Sequence, residues 1–339
     1  MKYNLLDCTL RDGGYIPNWK FDDIVIRDTI KKLVSANIDY IEVGYLNSVK
    51  QYYGNTTQFD TISRINDFLP IDRKNAIFLA MADVQQFFPK DIEPYERGYV
   101  DGIRVVFYKH QIKEAEILAK EIKAAGYKLF MQPMVTIDYS IDEYSKLTSQ
   151  IAELEPYAVS IVDSFGYMIK EDFRKYFGIL DNILDERTII GFHSHNNMNL
   201  AFITAQDILE YNTKRRLVID CSLYGMGRGA GNLNTELIAN YYNMLFGKKY
   251  NLHLCLKLIS KYIMPIYERK KWGYSPYLFL TGLNHYHPNF ACYLLEEYPK
   301  VTVEQFERFL NTIPPEFKTK CKKPYVLEKW DEFLRKERV

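Results

Sequence analysis

A chain of 339 residues, 47% hydrophobic and 26% charged, can bury a sizeable core in one large domain or two medium ones. Its 44 Lys and Arg against 43 Asp and Glu exclude nucleic-acid binding or membrane-surface binding through bulk positive charge. No stretch reaches the roughly 18 apolar residues of a spanning helix.

Eight short apolar runs begin near Tyr3, Asp39, Ala76, Gly102, Tyr127, Tyr157, Thr188 and Leu217. Their spacing is that of a strand plus a returning helix. Between the runs lie helical faces. Ile26, Ile30, Leu33 and Val34 form the first. Ala115, Leu118, Ala119 and Ile122 repeat it, with Gly126 as a C-terminal stop. Ser140 and Glu143 have the form of a capping box ahead of Tyr144, Leu147 and Ile151. Leu237, Tyr241, Met244 and Leu245 make the last face before Gly247. Eight βα units with right-handed crossovers close most simply into a (β/α)8 TIM barrel over residues 1–246. A doubly wound open sheet is the alternative, but no Gly-rich dinucleotide fingerprint follows the first run.

From residue 247 the rhythm stops. Thr302 and Gln305 would cap a helix carrying Phe306, Phe309 and Leu310, and Leu327, Trp330, Phe333 and Leu334 form another face. Residues 247–339 therefore read as a C-terminal helical extension packed closely on the barrel. The five cysteines (Cys8, Cys221, Cys255, Cys292 and Cys321) show no C-x-x-C pair, and early charges at Lys2 and Asp7 break any leader-like apolar start. The expectation is a cytoplasmic protein with reduced thiols.

A barrel places its chemistry at the C-terminal ends of its strands. The first run ends in Asp7-Cys8-Thr9-Leu10-Arg11-Asp12-Gly13-Gly14-Tyr15, which alone reads equally well as a turn with a surface ion pair. The seventh ends in Gly191-Phe192-His193-Ser194-His195-Asn196-Asn197. Positions i and i+2 of a strand share a face about 6.6 Å apart, so both imidazoles can reach one metal ion. The eighth leads into four glycines, Gly225, Gly227, Gly229 and Gly231, which read as a phosphate-binding nest or a structural lid, and then Asn232, a candidate fourth ligand. Strands seven, eight and one are neighbours in a closed barrel, so Asp12, His193, His195 and Asn232 converge. That mixed N/O set suits Mn²⁺, Mg²⁺, Co²⁺ or Zn²⁺ with open positions.

Other polar residues crowd the same end. Tyr40, Glu42 and Gly44 are expected on one face, and a buried Glu42 needs a partner such as Arg11. Arg104 and Tyr108 lie on the fourth run, with Lys109 and His110 beyond it; Gln132 ends the fifth; Asp163 and Ser164 end the sixth. Each alone is an ordinary loop residue. Together they have the pattern of an active site.

The segment Leu6–Gly14 resembles the D-x-T-L-R-D-G signature of the hydroxymethylglutaryl-CoA-lyase-like barrels, the DRE-TIM metallolyase superfamily. His193-Ser194-His195-Asn196 resembles its H-x-H-N motif, and Gly225 through Asn232 with Thr235-Glu236 resembles its glycine loop. The match covers residues 1–246; the rest is loosely similar to the helical segment of 4-hydroxy-2-oxovalerate aldolases. The resemblance implies a divalent metal, Mn²⁺ first, held by Asp12, His193 and His195, with Asn232 added in some members. It implies Arg11 as the stabiliser of an enolate. The strand-end reading adds Glu42 to the catalytic groups and gives Gln132, Asp163, Ser164 and Arg104 to substrate binding. The implied reaction cleaves or forms a C–C bond of a 4-hydroxy-2-oxo acid through a pyruvate-like enolate.

The aldolase branch carries an acid/base His four residues after the motif Arg, where this chain has Tyr15. A phenol with an ordinary pKa near 10 is a poor base at neutral pH, so His110 is the first replacement and Tyr15 the second. The change also leaves the aldehyde half of the substrate open, so that it need not be that of 4-hydroxy-2-oxovalerate. Two other readings stand beside this one: a Claisen-type synthase joining an acyl-CoA to a 2-oxo acid, and a non-catalytic barrel scaffold. The partners implied are a homodimer through the helical extension and an aldehyde dehydrogenase that receives the aldehyde. Tyr274-Ser275-Pro276-Tyr277 and His285-Tyr286-His287 are expected to pack against the barrel wall in preference to its mouth.

Overall fold

The computed structural model describes residues 2–319 and 321–337. Among them are nine strands: β1 (Tyr3–Asp7), β2 (Tyr40–Leu46), β3 (Gln58–Phe59), β4 (Ile77–Asp83), β5 (Gly102–Phe107), β6 (Lys128–Pro133), β7 (Ala158–Asp163), β8 (Ile189–Ser194) and β9 (Leu217–Cys221). All pair in parallel in the order β1-β9-β8-β7-β6-β5-β4-β2, and β1 pairs with β2 to close the ring. The two-residue β3 hangs on the outside of β2. The eight ring strands are the eight apolar runs, and the fold is a (β/α)8 barrel. Both faces of each strand are covered, which is why the runs are apolar almost throughout.

Period-two alternation sorts the inward side chains into layers. Leu6, Tyr40, Leu79, Phe130, Ala158, Ile189 and Val218 plug the floor of the pore as one apolar cluster. One step up the strands, the inward positions are Cys8, Glu42, Met81, Arg104, Gln132, Ser160, Gly191 and Asp220. The pore is thus apolar below and charged above.

One alternation breaks. The β2–β4 register slips between Glu42 and Gly44, leaving Val43 as an extra residue. The bulge swaps the face of everything after it. Gly44 therefore does not share the inward face with Tyr40 and Glu42. A Cβ on Gly44 would meet the Thr57 carbonyl at 2.2 Å. Tyr45 turns inward instead, opposite Met81.

Six of the eight ring strands are followed by an α-helix: α1 (Asp23–Ser35), α2 (Ile112–Ala124), α3 (Ile141–Glu153), α4 (Lys170–Ile183), α5 (Ala201–Glu210) and α6 (Thr235–Phe246). The expected faces of α1 and α2 are buried, and Ser140 and Glu143 close the box at the start of α3. After β2 and β4 the chain makes only 3₁₀ turns, Ser63–Phe68 and Pro89–Asp91. The latter segment holds Pro89 and Pro94 and a left-handed Gly98, which break a helix of any length.

The face of α6 is the reverse of expectation. Thr235, Ile238, Ala239 and Tyr242 are buried, while Leu237, Met244 and Leu245 are 46%, 72% and 43% exposed. The cause is long-range. The Thr235 hydroxyl donates to Asp7 Oδ2 at 2.7 Å, which pins the first turn and turns positions i+3, i+4 and i+7 toward the barrel.

Beyond the barrel, α7 (Leu252–Leu258), a π-turn (Ile259–Ile263) and α8 (Met264–Arg269) press Cys255, Leu258, Ile263 and Ile266 into the barrel's own core, and Trp272 joins them just after α8. Then α9 (Pro276–Leu283), α10 (Asn289–Glu297), α11 (Val303–Leu310) and α12 (Lys323–Glu337) build a second apolar cluster around Phe290, Phe306, Phe309 and Trp330. That cluster includes Ala230 of the glycine loop. Thr302 and Gln305 cap α11 reciprocally. All five cysteines are free. No helix among the described residues is long and apolar enough to cross a membrane.

Candidate active site

A buried ion network fills the charged layer of the pore. Arg11 Nε and Arg104 Nη1 donate to the same oxygen, Glu42 Oε2, at 2.7 and 3.0 Å. Arg104 Nη2 donates to Asp220 Oδ2, and Arg11 Nη1 to Asp12 Oδ2, each at 2.5 Å. Three carboxylates face two guanidinium groups, so the network carries one uncompensated negative charge away from water.

That charge lies beside two imidazoles whose hydrogens are assigned by their partners. His193 Nδ1 meets Asp220 Oδ2 at 3.0 Å, and His195 Nδ1 meets the Gly231 carbonyl at 3.2 Å. Carboxylate and carbonyl only accept, so each Nδ1 carries the hydrogen and each neutral ring keeps its lone pair on Nε2. One ligand atom from each of Asp12, His193 and His195 lies within 4.8 Å of the others. Asn232 Nδ2 donates to Asp12 Oδ1 at 3.2 Å and to the Met226 carbonyl at 3.1 Å, while its buried Oδ1 has no partner. A carboxylate, two imidazole lone pairs and an orphaned amide oxygen around an excess negative charge fit a divalent cation, with the histidines oriented from behind.

Protonation agrees. Burial pushes the Asp12 carboxyl up, but Arg11, His195, His193 and Arg228 together outweigh it and hold the group well below the usual range. Burial drives His195 down to about 3, so it stays neutral at physiological pH.

The glycine loop presses on this set. A Cβ on Gly227 would meet Asn232 Nδ2 at 2.3 Å and Asp12 Oδ1 at 2.9 Å. One on Gly231 would meet the Gly225 carbonyl at 2.0 Å, and Gly231 is left-handed. The loop is a close-fitting lid against the Asp12–Asn232 pair.

A cavity of about 120 Å³ opens above the trio. Arg11, Asp12, Tyr15, Gln132, Ser164, His193 and His195 line it, as the sequence suggests. Gln132 Nε2 donates to Ser160 Oγ at 2.6 Å, and Ser164 Oγ accepts from Val135 N at 2.9 Å. The Tyr15 ring packs on Trp19 at 4.4 Å. Burial raises its hydroxyl pKa, away from what a base needs.

Four expectations fail in placement. His110 is exposed, stacks on Tyr108 at 6.0 Å, and faces a separate outer hollow. Asp163 does not line the cavity. The alternation that turns Val162 and Ser164 inward turns it out, where it accepts from the backbone N–H groups of Gly166, Tyr167 and Met168. Arg104 and Glu42 lie beneath the cavity and hold Arg11 and Asp220 in place, without lining it. The His285–His287 segment does not rest on the barrel wall. His287 Nε2 approaches Arg228 Nη1 at 3.4 Å, and His285 stacks on Tyr167 at 4.5 Å, so the segment reaches across the mouth loops.

Four residues at the site escaped the sequence reading: Tyr45, Asp83, Asp220 and Arg228. Asp220 and Asp83 were visible as acids in apolar runs, in phase with Val218 and Leu79. Arg228 stands inside the glycine loop. Tyr45 had no signal, because the bulge re-aims it.

The HMGL-like family matches residues 106–260. A 4-hydroxy-2-oxovalerate aldolase of Chloroflexus aggregans is 30% identical over 249 residues, covering 69% of this chain and 67% of that protein. An oxaloacetate decarboxylase of Mycobacterium tuberculosis is 23% identical, covering 69% and 68%. Among solved structures, an N-terminal domain from Bacteroides vulgatus has a TM-score of 0.73 at 25% identity, covering 90% of this chain and 99% of that one. The HMG-CoA lyase from Brucella melitensis shares the fold, with a TM-score of 0.60 at 17% identity over 75% and 95%.

Proposed function

Because this chain belongs to the HMGL-like family and is a carbon–carbon lyase of aldolase type, we propose that it cleaves, or in reverse forms, the C3–C4 bond of a 4-hydroxy-2-oxo acid with a divalent cation at Asp12, His193 and His195. The observation that carries the reading is the convergence of that trio and the orphaned Asn232 oxygen on a buried excess of negative charge. The family resemblance puts Mn²⁺ first, and the mixed N/O set admits Mg²⁺, Co²⁺ and Zn²⁺ as alternatives. A cation bound there supplies Lewis acidity toward the 2-oxo group.

The chain's own residues do the rest. Glu42 locks the Arg11 guanidinium, so its positive charge is fixed before an enolate oxygen develops beside it. Gln132 and Ser164, on neighbouring inward positions, orient the oxo-acid end. Arg228 reaches over the mouth from the glycine loop. Its Nη2 donates to the Ser164 carbonyl at 3.3 Å, which steadies a second positive charge at the cavity rim. Cleavage removes the 4-hydroxyl proton, breaks C3–C4 and leaves the electron pair as the enolate. Protonation at C3 then yields the 2-oxo acid. The barrel, residues 1–246, would carry this chemistry, with the His285–His287 segment of the extension, 247–339, reaching across its mouth loops. The scaffold reading is set aside by the enzyme assignment.

The test is direct. Mn²⁺-loaded protein is offered 4-hydroxy-2-oxo acids of graded tail length, and pyruvate release is followed with lactate dehydrogenase. Turnover of at least one, lost together with bound metal in Asp12→Ala, is the expected outcome. Full metal occupancy with no pyruvate from any substrate overturns the proposal.

A further inference from the structure

We propose that Asp83, at the C-terminal end of β4, is the catalytic group that takes the proton from the substrate's 4-hydroxyl, with Tyr45 holding its carboxylate in place. The inference rests on the aldolase reading and deepens it.

Retro-aldol cleavage needs an acceptor for that proton inside the cavity. The groups that line it can be taken in turn. His193 and His195 direct their lone pairs at the ion site. Asp12 is engaged by Arg11 and Asn232. Tyr15 and Tyr45 are pushed up by burial, the wrong direction for a base. His287 does not line the cavity: its Nδ1 accepts the Asn289 N–H at 3.1 Å and its Nε2 faces the Arg228 guanidinium at 3.4 Å, so both ring nitrogens are turned to other partners. His110 is outside. Asp83 remains.

Its geometry suits the role. Leu79, Met81 and Asp83 follow one another on the inward face of β4, so the carboxylate stands at the top of the pore and lines the cavity. Oδ1 accepts from Gln85 N at 2.8 Å, which fixes the side chain at the turn. Oδ2 accepts from the Tyr45 hydroxyl at 3.2 Å. The β2 bulge is what brings Tyr45 to this place, and bulges that re-aim a side chain gather at active sites. Burial also raises the Asp83 carboxyl above its usual range, which strengthens it as a proton acceptor.

The step balances. The proton passes from the 4-hydroxyl oxygen to Asp83 Oδ2. The oxygen's electrons form the aldehyde C=O, C3–C4 breaks, and its pair becomes the C2–C3 π bond of the enolate. After the aldehyde leaves, the proton returns to C3. In the condensation direction, protonated Asp83 delivers it to the new alkoxide.

A role confined to capping the β4 turn would give a different result. Asp83→Asn keeps an oxygen for Gln85 N and loses the proton acceptor. The measurement uses the Mn²⁺-loaded full chain with two substrates: the best-cleaved 4-hydroxy-2-oxo acid, and oxaloacetate. Oxaloacetate loses CO₂ to the same enolate with no hydroxyl proton to remove. Rates are read above a protein-free Mn²⁺ control. Asp83→Asn is expected to lower the ratio of aldol cleavage to decarboxylation by about 100-fold, with Asp83→Glu recovering part of it. An unchanged ratio, whether both activities persist or both fall together, overturns the assignment. Wild-type protein that decarboxylates oxaloacetate yet cleaves no hydroxy acid overturns the aldolase reading itself.

Discussion

Glu42 Oε2 accepts from two guanidinium groups, and its other oxygen, Oε1, is buried without a partner. Such a residue stabilises mainly by preventing something worse. Removing it leaves Arg11 Nε and Arg104 Nη1 buried without their acceptor, although each guanidinium keeps one other carboxylate. Glu42→Ala should therefore cost about 3–5 kcal/mol in urea unfolding, well above a surface-pair deletion. Its need for a partner was legible from an acid in an apolar strand. That it serves Arg104 as well was not, since barrel stagger decides which inward residues meet across the pore. Asp7 shows the opposite electrostatic sign. Burial lifts its carboxyl to about 6, against the opposing bonds from Thr235 and Thr9. An acid whose folded pKa exceeds its unfolded one holds its proton more tightly when folded. Stability from this group is therefore present below about pH 4 and falls as pH rises to about 6, by about 3 kcal/mol. Asp7→Asn should gain on wild type across that window and hold the gain at pH 7. Paired urea titrations at pH 4, 5, 6 and 7 would read it, and a constant difference at all four would refute it.

Strands were the readable elements because a parallel barrel buries both of their faces, leaving apolar runs that need no partner to be recognised. The helices were less so. The 3₁₀ turn at Ser63–Phe68 buries Ile65 against the core, and so short an apolar stretch suits a single turn as well as a helix. The phase of α6 depends on a hydrogen bond to Asp7, 228 residues away in sequence. The glycine loop lies between these cases: its composition announced close approach but not to what. Its contact with Asn232 and Asp12 makes a specific forecast. Gly227→Ala should weaken Mn²⁺ binding at least ~10-fold in titration calorimetry, the scale seen when groups supporting a metal's ligands are disturbed. Melting should be little changed, because side chains can yield where backbone cannot. Gly178, inside α4, is the control: a Cβ there meets nothing within 4 Å. Gly178→Ala should be neutral to stabilising, by up to about 1 kcal/mol, with metal affinity intact.

At the scale of the whole chain, the apolar cores do not divide where the strand rhythm ends. The barrel's cluster runs on through Cys255, Leu258, Ile259, Ile263, Ile266 and Trp272, and the second cluster begins with Leu278 apart from Ala230. The sequence hid this because α7 and α8 carry the same Leu and Ile pattern whichever body they pack on. Two truncations should therefore behave differently. A fragment ending at Phe246 loses those six side chains, each worth about 1.5–3 kcal/mol of burial. The sum rivals the ~5–15 kcal/mol stability of an ordinary domain. That fragment should show no cooperative urea transition. A fragment ending at Gly273 keeps the barrel core whole and should unfold cooperatively. It would lack His287 beside Arg228 and the cluster that buries Ala230, so the glycine loop would be uncovered on its outer side. The Asp12–His193–His195 trio lies wholly within residues 12–195, so the fragment should still bind Mn²⁺. On the role proposed for Arg228 at the mouth, turnover should drop by an order of magnitude or more. If the shorter fragment folds as cooperatively as the longer one, the helices after α6 are an appendage and not part of the barrel's core. If the longer one keeps full turnover, the segment across the mouth has no part in catalysis.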